Sequence, residues 1–228
     1  MEDRRSLVRW GGWCGIVFVG IYLGVILLEQ FGSAPAAATT RDYLAALGSP
    51  SARRQMMLLH FLVAAWGLVG MVWAVGLSRL LTADRPRTSA TIAQYFALAG
   101  FAIVACMLIV QGAVMAHGGR LFNLAVTEAE QNSLVTAYRH LRIIDQGLDL
   151  AWDVYISSAG ILFSVAMLSQ KQFGKVFGLS GVLIMVVLLA INIWQAPVPP
   201  TPDVGPLAGL WVLAVSVQML RAVKTLAH

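Results

Sequence analysis

Residues Ile92–Met115 read IAQYFALAGFAIVACMLIVQGAVM, without one charged residue or proline. A helix rises ~1.5 Å per residue, so about 20 apolar residues cross a ~30 Å hydrocarbon core. This stretch clears that length. Five more qualify on either side: about Trp10–Leu28, Met56–Leu81, Leu148–Leu168, Val176–Trp194 and Val204–Leu220. The chain is expected to be a single all-α integral membrane domain over residues 1–228, a bundle of six transmembrane helices.

The composition agrees. Of 228 residues, 58% are hydrophobic and 12% charged, where an ordinary soluble domain carries about a quarter charged. That excludes a disordered chain, a disulfide scaffold and a soluble domain. The net charge of +5 forms no basic stripe with interleaved aromatics, so nucleic acid is not an expected partner. Gly118-Gly119 is not followed by a phosphate-cradling pattern, so no nucleotide is expected either. The charged start, Met1–Arg9, resembles a signal peptide, but the apolar run behind it is too long and Ser33-Ala34-Pro35 is a poor cleavage site. The first segment therefore reads as a retained span.

Lys/Arg bias sets the orientation. Ten of the 16 basic residues fall in the segments on the N-terminal side, from Arg4 and Arg5 to Arg221 and Lys224; eight of the 11 acids fall on the opposite side. Both termini are expected to be cytoplasmic, in a bacterial-type inner membrane. Ser49-Pro50 reads as an N-cap and first-turn proline, and Thr127-Glu128-Ala129-Glu130 as a capping box. The fourth helix is expected to extend outward from about residue 128. Unbroken to Ser169 it would be ~60 Å long, with Gly147 the point at which it would break. A short helical patch is expected over Arg41–Leu47, ended by Gly48. Pro197, Pro199, Pro200 and Pro202 make a stiff loop.

Ionisable groups within a membrane are costly, so their positions are the best functional signal in this chain. Counting turns from the cytoplasmic charges, Glu29 lies ~30 Å up its helix, His60 ~29 Å, Gln111 ~26 Å and Asp153 ~27 Å. Four helices thus bring a polar group to one depth. Just beyond come His117, Asp149, Asp145, Arg142 and His140. Arg142, Asp145, Asp149 and Asp153 share a face of the fourth helix. Three acids so spaced repel unless a cation is near. This points to an outward-facing pocket for a lipid head group, ion or partner segment. The plainer alternative is that Asp145, Asp149 and His140 wet a solvated helix extension.

Two further readings use the same residues. In an intramembrane enzyme acting on a lipid or isoprenoid, Asp149 or Asp153 would serve as acid and His60 or His117 as base or ligand. A metal site would draw on His60, His117 and Asp153, and the two histidines would be the axial ligands of a haem. No metal or haem motif is present, so neither cofactor is favoured. A small proton-coupled transporter is disfavoured because there is no midplane charge, broken helix or repeat.

The remaining polar and small residues have packing explanations. Cys14 and Cys106 read as unpaired, small buried hydrophobes. Gly11-xxx-Gly15 and Gly20-xxx-Gly24 permit close helix approach, either within the bundle or at a dimer seam. Trp10, Trp13, Trp194 and Trp211 fit interfacial belts, whereas Trp66 and Trp73 lie deep, as core or as an aromatic cage. Asn192 and Gln218 read as interhelical hydrogen-bonding groups.

The C-terminal third runs Gln172-Phe173-Gly174-Lys175-Val176-Phe177-Gly178-Leu179-Ser180-Gly181. An apolar span and a polar loop follow, then Leu210-Trp211-Val212-Leu213 and Leu220-Arg221. This cadence resembles the six-helix bacterial membrane family called domain of unknown function 4386. The resemblance implies a six-helix bundle and carries no activity with it. The leading expectation is an integral membrane binding protein or accessory subunit, in contact with lipids and with other membrane subunits.

Overall fold

A computed structural model describes residues 2–31, 39–196 and 204–225. It contains seven helices: α1 Glu2–Phe31, α2 Thr40–Leu47, α3 Pro50–Leu81, α4 Thr88–Leu124, α5 Glu128–Met167, α6 Gly174–Gln195 and α7 Gly205–Thr225. Among the described residues there is no strand. All but α2 are long and apolar enough to cross a membrane. Large apolar side chains such as Leu58, Leu68, Val176, Leu179 and Leu183 stay exposed around the bundle. Such a belt is unfavourable in water and fits a lipid surround.

The helices form a ring. α1 packs on α3 and α7, α3 on α4, α4 on α5, and α5 on α6; the α6–α7 contact that completes the ring is slight. Small residues make the close crossings. A Cβ on Gly11 would lie 2.8 Å from the Cα of Gly76, so α1 and α3 touch backbone to backbone there. Gly15 faces Trp73 and Ser216. The first glycine pair is thus spent on packing within the bundle, while Gly20 has no described neighbour within 4 Å. In lipid the apolar solvent gives helices little reason to associate, so such close packing carries the stability.

The local signals behave largely as their chemistry dictates. Ser49 caps α3 by accepting from the Ala52 N–H, and Thr127 and Glu130 form the full capping box of α5. α5 runs unbroken through Gly147 for 40 residues, ~60 Å of helix. Gly48 does end α2, but with φ −64°. It is a glycine because a Cβ there would collide with the Asn123 side chain. The one positive φ among the described residues is Gly174, at +70°, where the turn after α5 swings into α6 and Gly174 N–H donates to Gln170 O at 2.9 Å.

Several expectations are corrected. The third span is longer than its apolar stretch to Met115: α4 continues through Gly118-Gly119 to Leu124, and Gly119 lets Leu47 of α2 settle against it. Trp211 is not in a belt: it is 4% exposed, and its N–H donates to Phe177 O at 3.2 Å. Cys106 is exposed at the bundle periphery rather than buried. The proline loop over 197–202 lies outside the described residues.

The end bearing the N-terminus is tied by hydrogen bonds between loops and helices. Arg4 donates to Ala83 O at 2.9 Å, and Arg87 reaches Ala166 O and Ser169. Buried Gln170 donates to Leu81 O at 2.8 Å, capping α3. Gln170→Leu should strand that carbonyl and cost about 1–2 kcal/mol. A lower melting temperature in detergent is the readout; an unchanged one would show that this bond adds nothing.

Candidate ligand-binding site

The polar residues gather at the other end, beneath α2. This short helix is held by fully buried Leu44 and Leu47, and Leu44 joins Phe122 and Val135 in a small second core. Arg41 donates to Gln131 at 2.9 Å and Asn132 at 2.7 Å, fastening α2 to the first turns of α5. Tyr43 lies over Tyr138, with ring centroids 6.0 Å apart, and its hydroxyl reaches Met115 Sδ at 3.5 Å. Burial pushes the Tyr43 phenol up, partly opposed by the Arg142 guanidinium.

Below this cap the α5 stripe meets α3 and α4. Burial pushes the Asp145 carboxyl up, partly opposed by the Arg142 guanidinium, a hydrogen bond with Gln111 and His60. Helices α3, α4 and α5 thus each bring a group to this point, where the depth count puts Asp145 just beyond His60 and Gln111. His60 Nδ1 lies 2.8 Å from Met56 O. A carbonyl only accepts, so Nδ1 carries a proton and donates it. Gly112 of α4 makes room for the imidazole: a Cβ there would lie 2.8 Å from the His60 Cβ.

The deeper acids enter a different space. Asp149 and Asp153 line a cavity of about 330 Å³ in the middle of the ring, together with Trp66, Trp152, Phe18, Phe101, Trp211 and Asn192. Phe18 stacks on Trp66 at 4.5 Å, and Trp152 stands 5.4 Å from Trp66 on centroids. On the α7 side the small residues Gly205, Ala208 and Gly209 line the space beside Trp211 and Val212. Trp66 is 8% exposed and Asn192 7%. The indole N–H groups of Trp66 and Trp152 and the Asn192 Oδ1 have no hydrogen-bond partner. Buried polar atoms in that condition are uncommon and call for an explanation.

The other candidates go elsewhere. His117 is exposed and shares a shallow notch with Arg53, Arg54 and Arg120. Asp153 lies eight residues along α5 from Asp145, ~12 Å. His60, His117 and Asp153 are thus not brought to one point, and among the described residues no three His, Cys, Asp or Glu side chains are grouped to hold a metal. His140 is exposed on the α5 extension. The α1 backbone runs through Glu29, whose side chain lies outside the described residues, as does His228.

Of the aromatic and amide lining, the sequence points to Trp66 and Trp73, as core or cage, and to Asn192, whose Oδ1 lacks the hydrogen bond expected of it; Phe18 and Trp152 carry no such signal. Asn192 lies ~27 Å along α6 from Gly174, the same depth as Asp153, so the depth count that found the acids also reaches this amide. Gln218 does bridge, donating to Gln172 O at 3.4 Å. Nothing in the spacing of Phe18, Trp66 and Trp152 shows that three helices turn them to one centre.

No family model, curated protein or solved structure matches this chain.

Proposed function

We propose that this chain is a multi-pass membrane binding protein, both termini cytoplasmic, in a bacterial-type inner membrane. Its outward-opening site takes an amphipathic ligand. The polar head sits at Asp149 and Asp153, and the apolar body enters the aromatic chamber. The carrying observation is that two acids of the α5 stripe line the same cavity as Trp66, Trp152 and the unpartnered Asn192 Oδ1. Small-molecule sites have this character: mostly apolar walls with a few convergent polar groups. Binding is favoured over acid–base chemistry because His117 faces away and His60 serves Asp145, outside the chamber. The likeness to domain of unknown function 4386 fits the six-span plan and adds no activity.

Ala208→Phe tests the reading, because it places a phenyl ring in the chamber from the α7 side. In nanodiscs, small phenylalkyl compounds should change the tryptophan fluorescence of the full chain saturably, and the variant should abolish the saturable part. A response that never saturates, or that survives in the variant, would refute a site here.

A further inference from the structure

The chamber has a defined charge and a defined set of unmet hydrogen bonds, and together they specify a ligand. Among its described lining residues are two carboxylates and no Lys, Arg or His. The Arg142 guanidinium acts on both Asp149 and Asp145. Asp149 is exposed and Asp153 half-buried, and two carboxylates on one mostly apolar space favour a cation over a neutral or anionic ligand. At the depth of Asp153, Asn192 Oδ1 is an acceptor with no donor. The lining therefore carries carboxylate oxygens of Asp149 and Asp153 and the amide oxygen of Asn192, all acceptors of the kind an ammonium group donates to.

The body of the chamber agrees in sign. Ring faces carry negative potential and attract cations, and Phe18, Trp66, Trp152 and Phe101 line the space. The indole N–H groups of Trp66, Trp73 and Trp152, which line it too, have no partner. The size excludes a whole phospholipid: about 330 Å³ is at the low end of the ~300–1,000 Å³ typical of small-molecule sites. Resting on the binding reading above, we propose that the chamber takes a small lipophilic primary amine, ammonium at Asp149, Asp153 and Asn192 and ring system against Trp66 and Trp152.

Three probes of one shape test this: 4-phenylbutylamine, 4-phenylbutanol and 4-phenylbutanoate, titrated calorimetrically into the full chain in nanodiscs against empty nanodiscs. The amine should bind about tenfold or more tighter than the alcohol, as a charge-assisted hydrogen bond predicts, and the carboxylate weakest. The joint variant Asp149→Asn, Asp153→Asn should bring the amine-to-alcohol ratio close to one. The wild-type ranking needs no variant to fold. An alcohol that matches the amine, or a carboxylate that beats it, overturns the amine assignment and leaves the binding site standing. A ratio that persists in the double variant overturns the role of these two acids. If none of the three binds above empty nanodiscs, the binding reading itself falls.

Discussion

Replacing Gly76 with valine is expected to destabilise the whole bundle by more than about 3 kcal/mol, beyond the usual 1–3 kcal/mol cost of overpacking. The reason is what the new atoms would meet. A Cβ at Gly76 would lie 2.7 Å from Gly11 Cα and 2.7 Å from Leu7 O. Both are backbone atoms of α1, and backbone cannot change rotamer to make room. α1 would have to move away from α3 along the seam that includes Trp73 and Gly15, and α7 rests on that same helix. Because lipid offers no hydrophobic drive to restore the contact, the loss should reach the global melting transition in detergent. Gly20→Val on α1 is the control: with no described neighbour within 4 Å, it should shift stability by roughly 0.5 kcal/mol or less. Equal melting of the Gly76 variant and the wild type would show that the seam is not built as described.

The second large effect is confined to the cap. Gly119→Val should detach α2 from α4 at a cost of about 2 kcal/mol or more, with little change in the global transition. The new Cβ would lie 2.7 Å from the Leu47 carbonyl carbon and 2.8 Å from its oxygen. An eight-residue helix has no stability of its own. Once Leu44 and Leu47 leave their pocket, the Arg41 bonds to α5 have nothing to hold them in register. Hydrogen exchange should therefore rise across 40–47 and remain slow in α3 and α4. Gly118→Val, one residue away, meets only Leu44 Cδ2 at an ordinary 3.5 Å and should leave the cap protected. If both variants exchange alike, the contact at Gly119 is not what seats α2.

The same distinction explains what was legible in the chain. Helix existence is a local property, set by apolar run length and by caps such as Ser49 and Thr127, so six spans and the α2 patch were readable one segment at a time. Depth along a helix is also local: it puts Glu29, His60, Gln111 and Asp153 at one level, with His117, Arg142 and Asp145 just beyond, before any packing is known. Azimuth is not local. His117 was grouped with these residues by depth, yet it faces Arg53 and Arg120. Trp211 was assigned to a belt because of its place near a span end, yet α7 turns it into the core.

The run Ile92–Met115 and its five counterparts determined by themselves that this is a helical chain with enough apolar length to cross a membrane six times. They also determined that its scarce acids concentrate toward one end. That follows from rise per residue and the cost of burying charge, which need no neighbour. Only the tertiary structure decided that Asp149 and Asp153 share a cavity with Phe18, Trp66, Trp152 and Asn192. Those residues come from four helices. Their convergence depends on how each helix is rotated about its axis, and that rotation is set by contacts between helices such as Gly11 on Gly76 and Leu47 on Gly119.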